Sequence, residues 1–163
     1  MEIRLANMDE LDIIMPLYAQ ARAFMRANGN PNQWGTTNPT RETIEHDIQI
    51  RRCHVVVESG EIVGVFYFEH GKDVEPTYAE IDGKWINDEP YGVMHRVISS
   101  GKVPGVVKCC SDWCLEQCGN LRIDTHADNR PMQDALDRCG FRYCGVIIVD
   151  DGTERLAFQK TKA

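Results

Sequence analysis

The spacing of apolar positions in the first half of the chain predicts two helices followed by a strand pair. Apolar side chains recur at helical intervals between Met8 and Ala27, after a short alternating stretch at residues 2–5. A second helix is expected to begin after Thr40, which suits the N-cap position, and to run to about Arg51. The β-rich runs CHVVVE and IVGVFYFEH then flank a Ser-Gly pair, so they predict adjacent antiparallel strands.

In the second half of the chain, strands alternate with helices. A polar segment at residues 71–89 is expected to be irregular, and alternation resumes along residues 91–99. A loop with glycine and proline leads into a helix between about Gly105 and Gly119, and the strand LRIDTH follows, which makes a strand–helix–strand unit. One more helix is expected at residues 130–139, before two closing strands, RYCGVIIV and ERLAFQ.

This order of elements defines the predicted fold class. Helices and strands are interspersed, and the sequence shows no internal repeat, low-complexity tract or linker. At 163 residues the chain is long enough for one domain with its own core and short for two. We therefore predict a mixed α/β protein that forms a single domain over residues 1–163.

The charge balance narrows the classes of partner. Lys and Arg total 18 against 25 Asp and Glu, so the net charge is -7, and no long basic run offers a track for a phosphate backbone. Nucleic acid is therefore not an expected partner. No stretch approaches the length of a membrane span or the pattern of a secretory signal, so the sequence predicts no membrane partner and a cytoplasmic location.

The seven cysteines predict reduced thiols. The number is odd and no secretory signal precedes them, which argues against a disulfide framework. Cys110, Cys114 and Cys118 recur every four residues, so they share one helix face and are expected to pack against the sheet. The C-x-x-C spacing typical of zinc sites is absent, which leaves a thiol or metal protein as a minor alternative.

The most specific pattern in the sequence is the stretch LRIDTHADNRPMQDALDRCGF. It contains a strand that ends in Asp-Thr-His, then Asn129, Met132 three residues later, and a Gly-Phe pair after the next helix. Together with the order of elements, this stretch resembles the GNAT family of N-acetyltransferases, and the resemblance covers essentially the whole chain.

The resemblance implies both a fold and an activity. The fold would be a central, mostly antiparallel twisted sheet of about seven strands with a splayed parallel pair, flanked by about four helices. The activity would be acetyl-CoA-dependent transfer of an acetyl group to a primary amine by direct transfer in a ternary complex, with no metal. The amine would belong to a small molecule, an amino acid or a peptide N-terminus. Dimers are frequent in the family, so a homodimer is one expected state.

The resemblance also indicates where acetyl-CoA would bind. In the family, backbone groups of the strand before the glycine-containing loop bond the pantetheine amides and the thioester carbonyl. The loop itself binds the pyrophosphate, and free N–H groups at a helix N-terminus suit a diphosphate in any protein. Val107 departs from the family pattern, which has a small residue there. The expected cofactor residues are Arg96, Val97, Ile98, Lys102, Val103, Pro104, Gly105, Val106, Val107, Asn129 and Met132.

Two residues of the quoted stretch are candidates for the general base that amine acetylation needs. Asp124 occupies the position of the general-base glutamate of ribosomal-protein N-terminal acetyltransferases; the alternative is a strand-end carboxylate held by a salt bridge. His126 either lines the cleft or acts as the base. A metal site would also require Asp128, which suits helix capping better, since Asp128 or Asn129 is the expected N-cap of the next helix.

The proton donor for the leaving thiolate is less clearly marked. The family often has a tyrosine seven residues after the asparagine, where this chain has Leu136, and another in the closing strand, where it has Phe158. Tyr143 and Tyr91 remain as candidates, with water as a third. The absent tyrosine and the Val107 departure favour a non-catalytic acyl-CoA-binding protein as the alternative function.

The acceptor pocket is predicted from position alone. His95 lies on the strand that carries the cofactor segment, and Tyr91 begins that strand. Glu80, in the segment YAEIDG, is expected near the entrance to that strand. Trp34 follows the first helix in a loop that borders the substrate side in the family, although such a tryptophan often covers the edge of a core.

Overall fold

The structure, a computed structural model, describes residues 1–162, and the chain divides into two units. The first unit contains residues 1–68 and 95–110, and the second contains residues 69–94 and the chain from residue 111 onward. The prediction of a single domain stays a prediction.

The first unit joins two helices to one part of the sheet. Its elements are β1 (Glu2–Leu5), α1 (Leu11–Ala27), α2 (Arg41–Gln49), β2 (Cys53–Glu58), β3 (Glu61–Gly71) and the second half of β5 (Tyr91–Ser99). The strand order is β1-β2-β3-β5, and β2 is antiparallel to both β1 and β3. The core of this unit is formed by the inner faces of the helices and strands, with Ile14, Tyr18, Ile44, Val55 and Val65 almost completely buried.

Local signals place the boundaries of these elements. The Thr40 hydroxyl accepts a hydrogen bond from the Thr43 backbone N–H at 3.2 Å, so the predicted N-cap of α2 is confirmed. Ser59 and Gly60 both adopt left-handed backbone angles, with φ of 52° and 78°, which turns the chain tightly between β2 and β3. The predicted antiparallel pair is therefore present.

The second unit contains the first half of β5. Its further elements are β4 (Asp82–Gly83), α3 (Val106–Cys118, which begins in the first unit), β6 (Asn120–Thr125), α4 (Arg130–Arg138), β7 (Arg142–Ile148) and β8 (Glu154–Thr161). The strand order is β5-β6-β8-β7-β4. Strands β5 and β6 are parallel, but their register covers only Gly92 against Leu121 and Val93 against Arg122, whereas the pairs β6–β8 and β7–β8 are antiparallel.

These elements confirm the predicted fold class, a mixed α/β protein with a mostly antiparallel sheet, one parallel pair and four helices. The sheet has eight strands where about seven were predicted, because β4 lies in the polar segment that was expected to be irregular. None of the helices within residues 1–162 is long and apolar enough to cross a membrane.

All seven cysteines are free thiols. Cys110 and Cys114 are fully buried and Cys118 is half-buried, so the predicted face of α3 does point largely inward. Burial raises the pKa of Cys53 to about 12 and raises that of Cys110 further, which suppresses the reactive thiolate at neutral pH.

The thiols should therefore react at two distinct rates. In the denatured protein an alkylating reagent should modify seven thiols. In the native protein Cys53, Cys110 and Cys114 should react far more slowly than the half-buried Cys139, because the reagent needs an accessible thiolate. Mass spectrometry of alkylated peptides measures each rate. Equal rates at Cys110 and Cys139, or stoichiometric zinc in the purified protein, would contradict this burial.

Candidate active site

In the first unit, strand β5 contains a backbone irregularity at Arg96. Its φ is 50°, a left-handed value that costs about 1–2 kcal/mol in a residue other than glycine. Such a conformation persists only where the surrounding structure holds it, and it often marks a functional site. Arg96 is flanked by Val97 and Ile98, the other two residues of the predicted pantetheine segment, and both of these are buried.

Two side chains hold Arg96 in place. The Tyr18 hydroxyl on α1 donates to the Arg96 carbonyl oxygen at 2.8 Å. The Arg96 Nε and Nη2 atoms donate to Asp47 Oδ2 on α2 at 2.9 and 2.8 Å. Burial raises the pKa of Tyr18 well above its usual value, so the phenol keeps its proton and remains a donor. The sequence did not reveal either Tyr18 or Asp47, because both look like ordinary helix positions.

Asp47 is only 4% exposed, and burial raises the pKa of its carboxyl group although Arg96 opposes the shift. The Arg96 guanidinium also lies over the Tyr67 ring, 4.8 Å from its centroid, which is a cation–π contact. His95 packs at a tilt against the same ring, with the ring centroids 5.7 Å apart. The predicted acceptor residue His95 is therefore half-buried beside this cluster.

The loop after β5 leaves its backbone accessible at the start of α3. Gly105 has a φ of 79°, and a Cβ at this position would meet no atom within 4 Å. Lys102 is exposed and forms an ion pair with Glu61. Val106 is buried, while Val103 and Val107 are half-buried. An open glycine and a cation at a helix N-terminus fit the diphosphate of acetyl-CoA, so this part of the chain is compatible with that co-substrate.

In the second unit, Asp124 lies near the end of β6, and a tyrosine binds its carboxylate. The Tyr78 hydroxyl donates to Asp124 Oδ2 at 2.6 Å, and the Trp85 indole N–H donates to the Tyr78 carbonyl oxygen at 2.9 Å. Burial, followed by the charge of Asp124, raises the pKa of Tyr78 well above its usual value. Tyr78 therefore stays protonated and fixes the orientation of the carboxylate.

His126 follows the end of β6, and one of its ring nitrogens is already engaged. Its Nδ1 atom accepts the Asp128 backbone N–H at 3.0 Å, which assigns the proton of the neutral ring to Nε2. His126 thus presents an N–H donor rather than a lone pair. No group of three His, Cys, Asp or Glu side chains within residues 1–162 is arranged to hold a metal ion. Asp124, His126 and Asp128 therefore do not form such a group.

Asn129 caps α4, because its side-chain oxygen accepts the Met132 backbone N–H at 3.2 Å. This capping role occupies the oxygen of one predicted cofactor residue, and Met132 is half-buried beside it. The predicted cofactor contacts of both residues stay predictions. Leu136, which replaces the tyrosine of the family, is completely buried and belongs to the core.

The remaining tyrosines differ in exposure. Tyr143 is 54% exposed on β7, where its ring packs edge-on against Phe158. Tyr91 is buried, and its hydroxyl donates to the Glu75 carbonyl oxygen at 3.3 Å and accepts the Glu75 N–H at 3.2 Å. Tyr78 is a further residue of the site that the sequence did not reveal. Its one signal was that it and Trp85 are large aromatic residues in an otherwise polar segment.

The last two predicted acceptor residues lie in different units. Trp34 is half-buried in the first unit and packs against Tyr18, with ring centroids 5.8 Å apart, so it covers part of the core. Glu80 is exposed in the second unit and lines an open cavity of about 610 Å³. Asp82 and Glu154 line the same cavity, together with apolar side chains of β7.

Comparison with known structures assigns the family. An acetyltransferase of the GNAT family from Streptococcus agalactiae is 33% identical, with 99% of this chain and 95% of that protein covered and a TM-score of 0.89. A Staphylococcus aureus protein is 25% identical, with 99% of both chains covered and a TM-score of 0.71. The ribosomal-protein-alanine N-acetyltransferase of Brucella melitensis shares the fold at 17% identity, 99% coverage of both chains and a TM-score of 0.64.

No protein-family sequence model and no curated protein matches the chain. The similarity to the Streptococcus agalactiae protein extends over nearly the full length of both chains. The chain therefore belongs to the GNAT family of acetyltransferases.

The contribution of the ion pair between Asp47 and Arg96 to stability can be tested by mutation. Asp47→Asn should lower the free energy of unfolding by about 2–3 kcal/mol, because the half-buried guanidinium loses its carboxylate partner. Asp12→Asn is the matched control, since Asp12 pairs with Arg41 at an exposed site, where loss of the pair should cost less than about 1 kcal/mol. Urea unfolding measures both. Equal effects would show that Asp47 does not hold Arg96.

Proposed function

We propose that this acetyltransferase uses acetyl-CoA to acetylate a primary amine by direct transfer in a ternary complex. The observation that carries the proposal is the carboxylate of Asp124, held by the Tyr78 hydroxyl at the end of β6. Most amines are protonated at neutral pH, so acetylation of a nitrogen needs a group that accepts a proton. An oriented carboxylate supplies that group.

The proposed acetyl-CoA ligands are the backbone of β5 around Arg96 and the open loop that begins α3. Acetyl-CoA supplies the thioester-activated acetyl group when it is bound. The N–H groups at the start of α3 and the exposed Lys102 side chain bind its phosphates, and the backbone of β5 orients the thioester. The residues assigned to it are Arg96, Val97, Ile98, Lys102, Val103, Pro104, Gly105, Val106, Val107, Asn129 and Met132.

Asp124 takes the proton from the acceptor ammonium in this proposal, and Tyr78 keeps the carboxylate oriented without giving up its own proton. His126 acts as a hydrogen-bond donor through Nε2, because Nδ1 is engaged by the backbone. Tyr143 is the proposed proton donor to the leaving thiolate, and its side chain is 54% exposed. The acceptor pocket is assigned to Tyr91, Glu80, His95 and Trp34.

The alternative function is binding of an acyl-CoA without transfer. It is favoured by Leu136, a fully buried core residue, and by Phe158 on β8, because each stands where the family often has a tyrosine. Both functions require binding of an acyl-CoA, and only the first includes transfer of the acyl group. Binding and transfer are therefore measured separately.

Binding of the co-substrate should stabilise the protein. At about a hundred times its Kd, acetyl-CoA should add about 2.7 kcal/mol of stability and raise the Tm in a thermal-shift measurement. Gly105→Ala should reduce the rise, because a methyl group then stands beside the phosphate-binding N–H groups. The control is Gly119→Ala, with a similar φ of 70° and an equally open Cβ at the other end of α3, so it carries the same backbone strain. Absence of any shift at millimolar acetyl-CoA would refute the cofactor assignment.

Removal of the proposed base should slow the transfer with little effect on binding. Asp124→Asn keeps the size of the side chain and removes its ability to take a proton, so kcat should fall by roughly 10²- to 10⁴-fold. The loss should shrink as the pH rises, because more of the amine then arrives neutral. Steady-state kinetics at several pH values, with acetyl-CoA binding measured in parallel, test this.

His126→Gln serves as the matched comparison for Asp124→Asn. It should alter KM more than kcat, because Nδ1 of His126 already accepts a backbone N–H. Should Asp124→Asn retain near-full kcat while His126→Gln loses it, the roles of the two residues are reversed.

A further inference from the structure

The second unit contains a cavity of about 250 Å³ to which the proposed function assigns no ligand, although Tyr78 and Tyr91 belong to its lining. Three aromatic side chains line it, Tyr78, Trp85 and Tyr91, together with Arg122 of β6. The Arg122 guanidinium lies between two of the rings, with Cζ 4.1 Å from the centroid of Trp85 and 4.1 Å from that of Tyr91. The cavity is therefore an aromatic cage with a cation in its wall.

Arg122 is 5% exposed, yet its hydrogen bonds are incomplete. Its Nη2 atom donates to the Asn87 carbonyl oxygen at 2.7 Å, while the buried Nε atom has no acceptor. No carboxylate within residues 1–162 forms a salt bridge with it. A guanidinium has five donors in a planar fork, and a buried cation without an anion is strongly destabilising. The two ring faces offset part of this cost, and burial lowers the pKa of Arg122.

The Arg122 guanidinium lines the cavity with its donors only partly engaged, and a planar guanidinium matches a carboxylate, which it can bind with two hydrogen bonds. The rim of the same cavity has the opposite charge. Asp73, Glu75, Asp88 and Glu89 line it, and three of these four side chains are exposed. Such a rim repels a simple multivalent anion such as phosphate and attracts an ammonium group. The complementary ligand therefore carries one carboxylate and one ammonium group.

The cavity also touches the proposed base through Tyr78. The Tyr78 ring lines the cavity, and its hydroxyl binds Asp124. We propose that this cavity binds the carboxylate of the acetyl acceptor, so that the acceptor is a small zwitterionic amino acid. The volume of about 250 Å³ suits a free amino acid better than a peptide chain. This inference rests on the proposed function, concerns acceptor binding and adds no chemical step.

Direct binding to the wild-type protein is the first test. Isothermal titration in the presence of CoA, which cannot be turned over, compares each standard amino acid with its decarboxylated amine and with its deaminated acid. At least one amino acid should bind, and removal of either charged group should weaken binding by about 10- to 100-fold, since a charged hydrogen bond contributes about 1.5–3 kcal/mol. Equal binding of the amines, or no amino acid bound at about 10 mM, would overturn the proposal.

Variants of Arg122 then connect the preference to the cavity. Arg122→Gln should weaken binding of the amino acid by about 10- to 100-fold and leave the weaker binding of the decarboxylated amine unchanged. Arg122→Lys should weaken binding of the amino acid by a smaller factor, because lysine retains the positive charge but lacks the planar guanidinium. The control is Arg142→Gln on the exposed side of β7, which should bind like the wild type. Unchanged discrimination in a folded Arg122→Gln protein would overturn the proposal.

Circular dichroism checks the fold of each variant. If Arg122→Gln does not fold, the wild-type titration and Arg122→Lys decide the matter. Failure of this inference is separable from failure of the proposed function. Acetylation of amines without a carboxylate preference would contradict the inference alone, whereas amino acid binding without release of CoA thiol would contradict the transfer reaction alone.

Discussion

The left-handed backbone at Arg96 is the constraint on which the proposed binding of acetyl-CoA along β5 depends. Strand β5 would otherwise continue as a regular ladder, with its N–H and C=O groups engaged by neighbouring strands. The Tyr18 hydroxyl and the Asp47 carboxylate hold Arg96 from two helices, one through its carbonyl oxygen and the other through its guanidinium. Both helices of the first unit thus contribute their best-buried polar groups to one residue of one strand. We infer that this arrangement makes the strand's backbone available to a ligand.

In the second unit, two charged side chains of one strand lie on a covered face of the sheet. Arg122 and Asp124 are two positions apart on β6 and therefore point to the same side. Aromatic residues of the same unit lie against both side chains. The Tyr78 hydroxyl donates a hydrogen bond to Asp124, whereas the Arg122 guanidinium forms cation–π contacts with Trp85 and Tyr91. The two charged side chains of β6 therefore both lie against aromatic residues.

The sequence predicted those features that are determined locally. Thr40 and Asn129 cap helices because their side chains reach N–H groups three residues ahead, and such signals are visible in a short window. Strand β4 was missed because it has two residues and exists only through its pairing with β7. There, Gly83 and Gly145 allow a close approach, since a Cβ at Gly83 would overlap the Cys144 carbonyl oxygen. The bond between Tyr78 and Asp124 spans 46 residues, and the HRVIS stretch around Arg96 alternates like a regular strand, so neither feature leaves a local signal.

Family membership places the chain among acetyltransferases, and the central claim beyond it is amine acetylation with acetyl-CoA. The most direct measurement is the release of CoA thiol from acetyl-CoA across a broad panel of primary amines that includes the amino acids. Release of thiol should depend on the amine and rise with pH as the acceptor nitrogen loses its proton. Acetyl-CoA that binds with no amine-dependent release of thiol at any pH would contradict it, and would assign the chain to acyl-CoA binding without transfer.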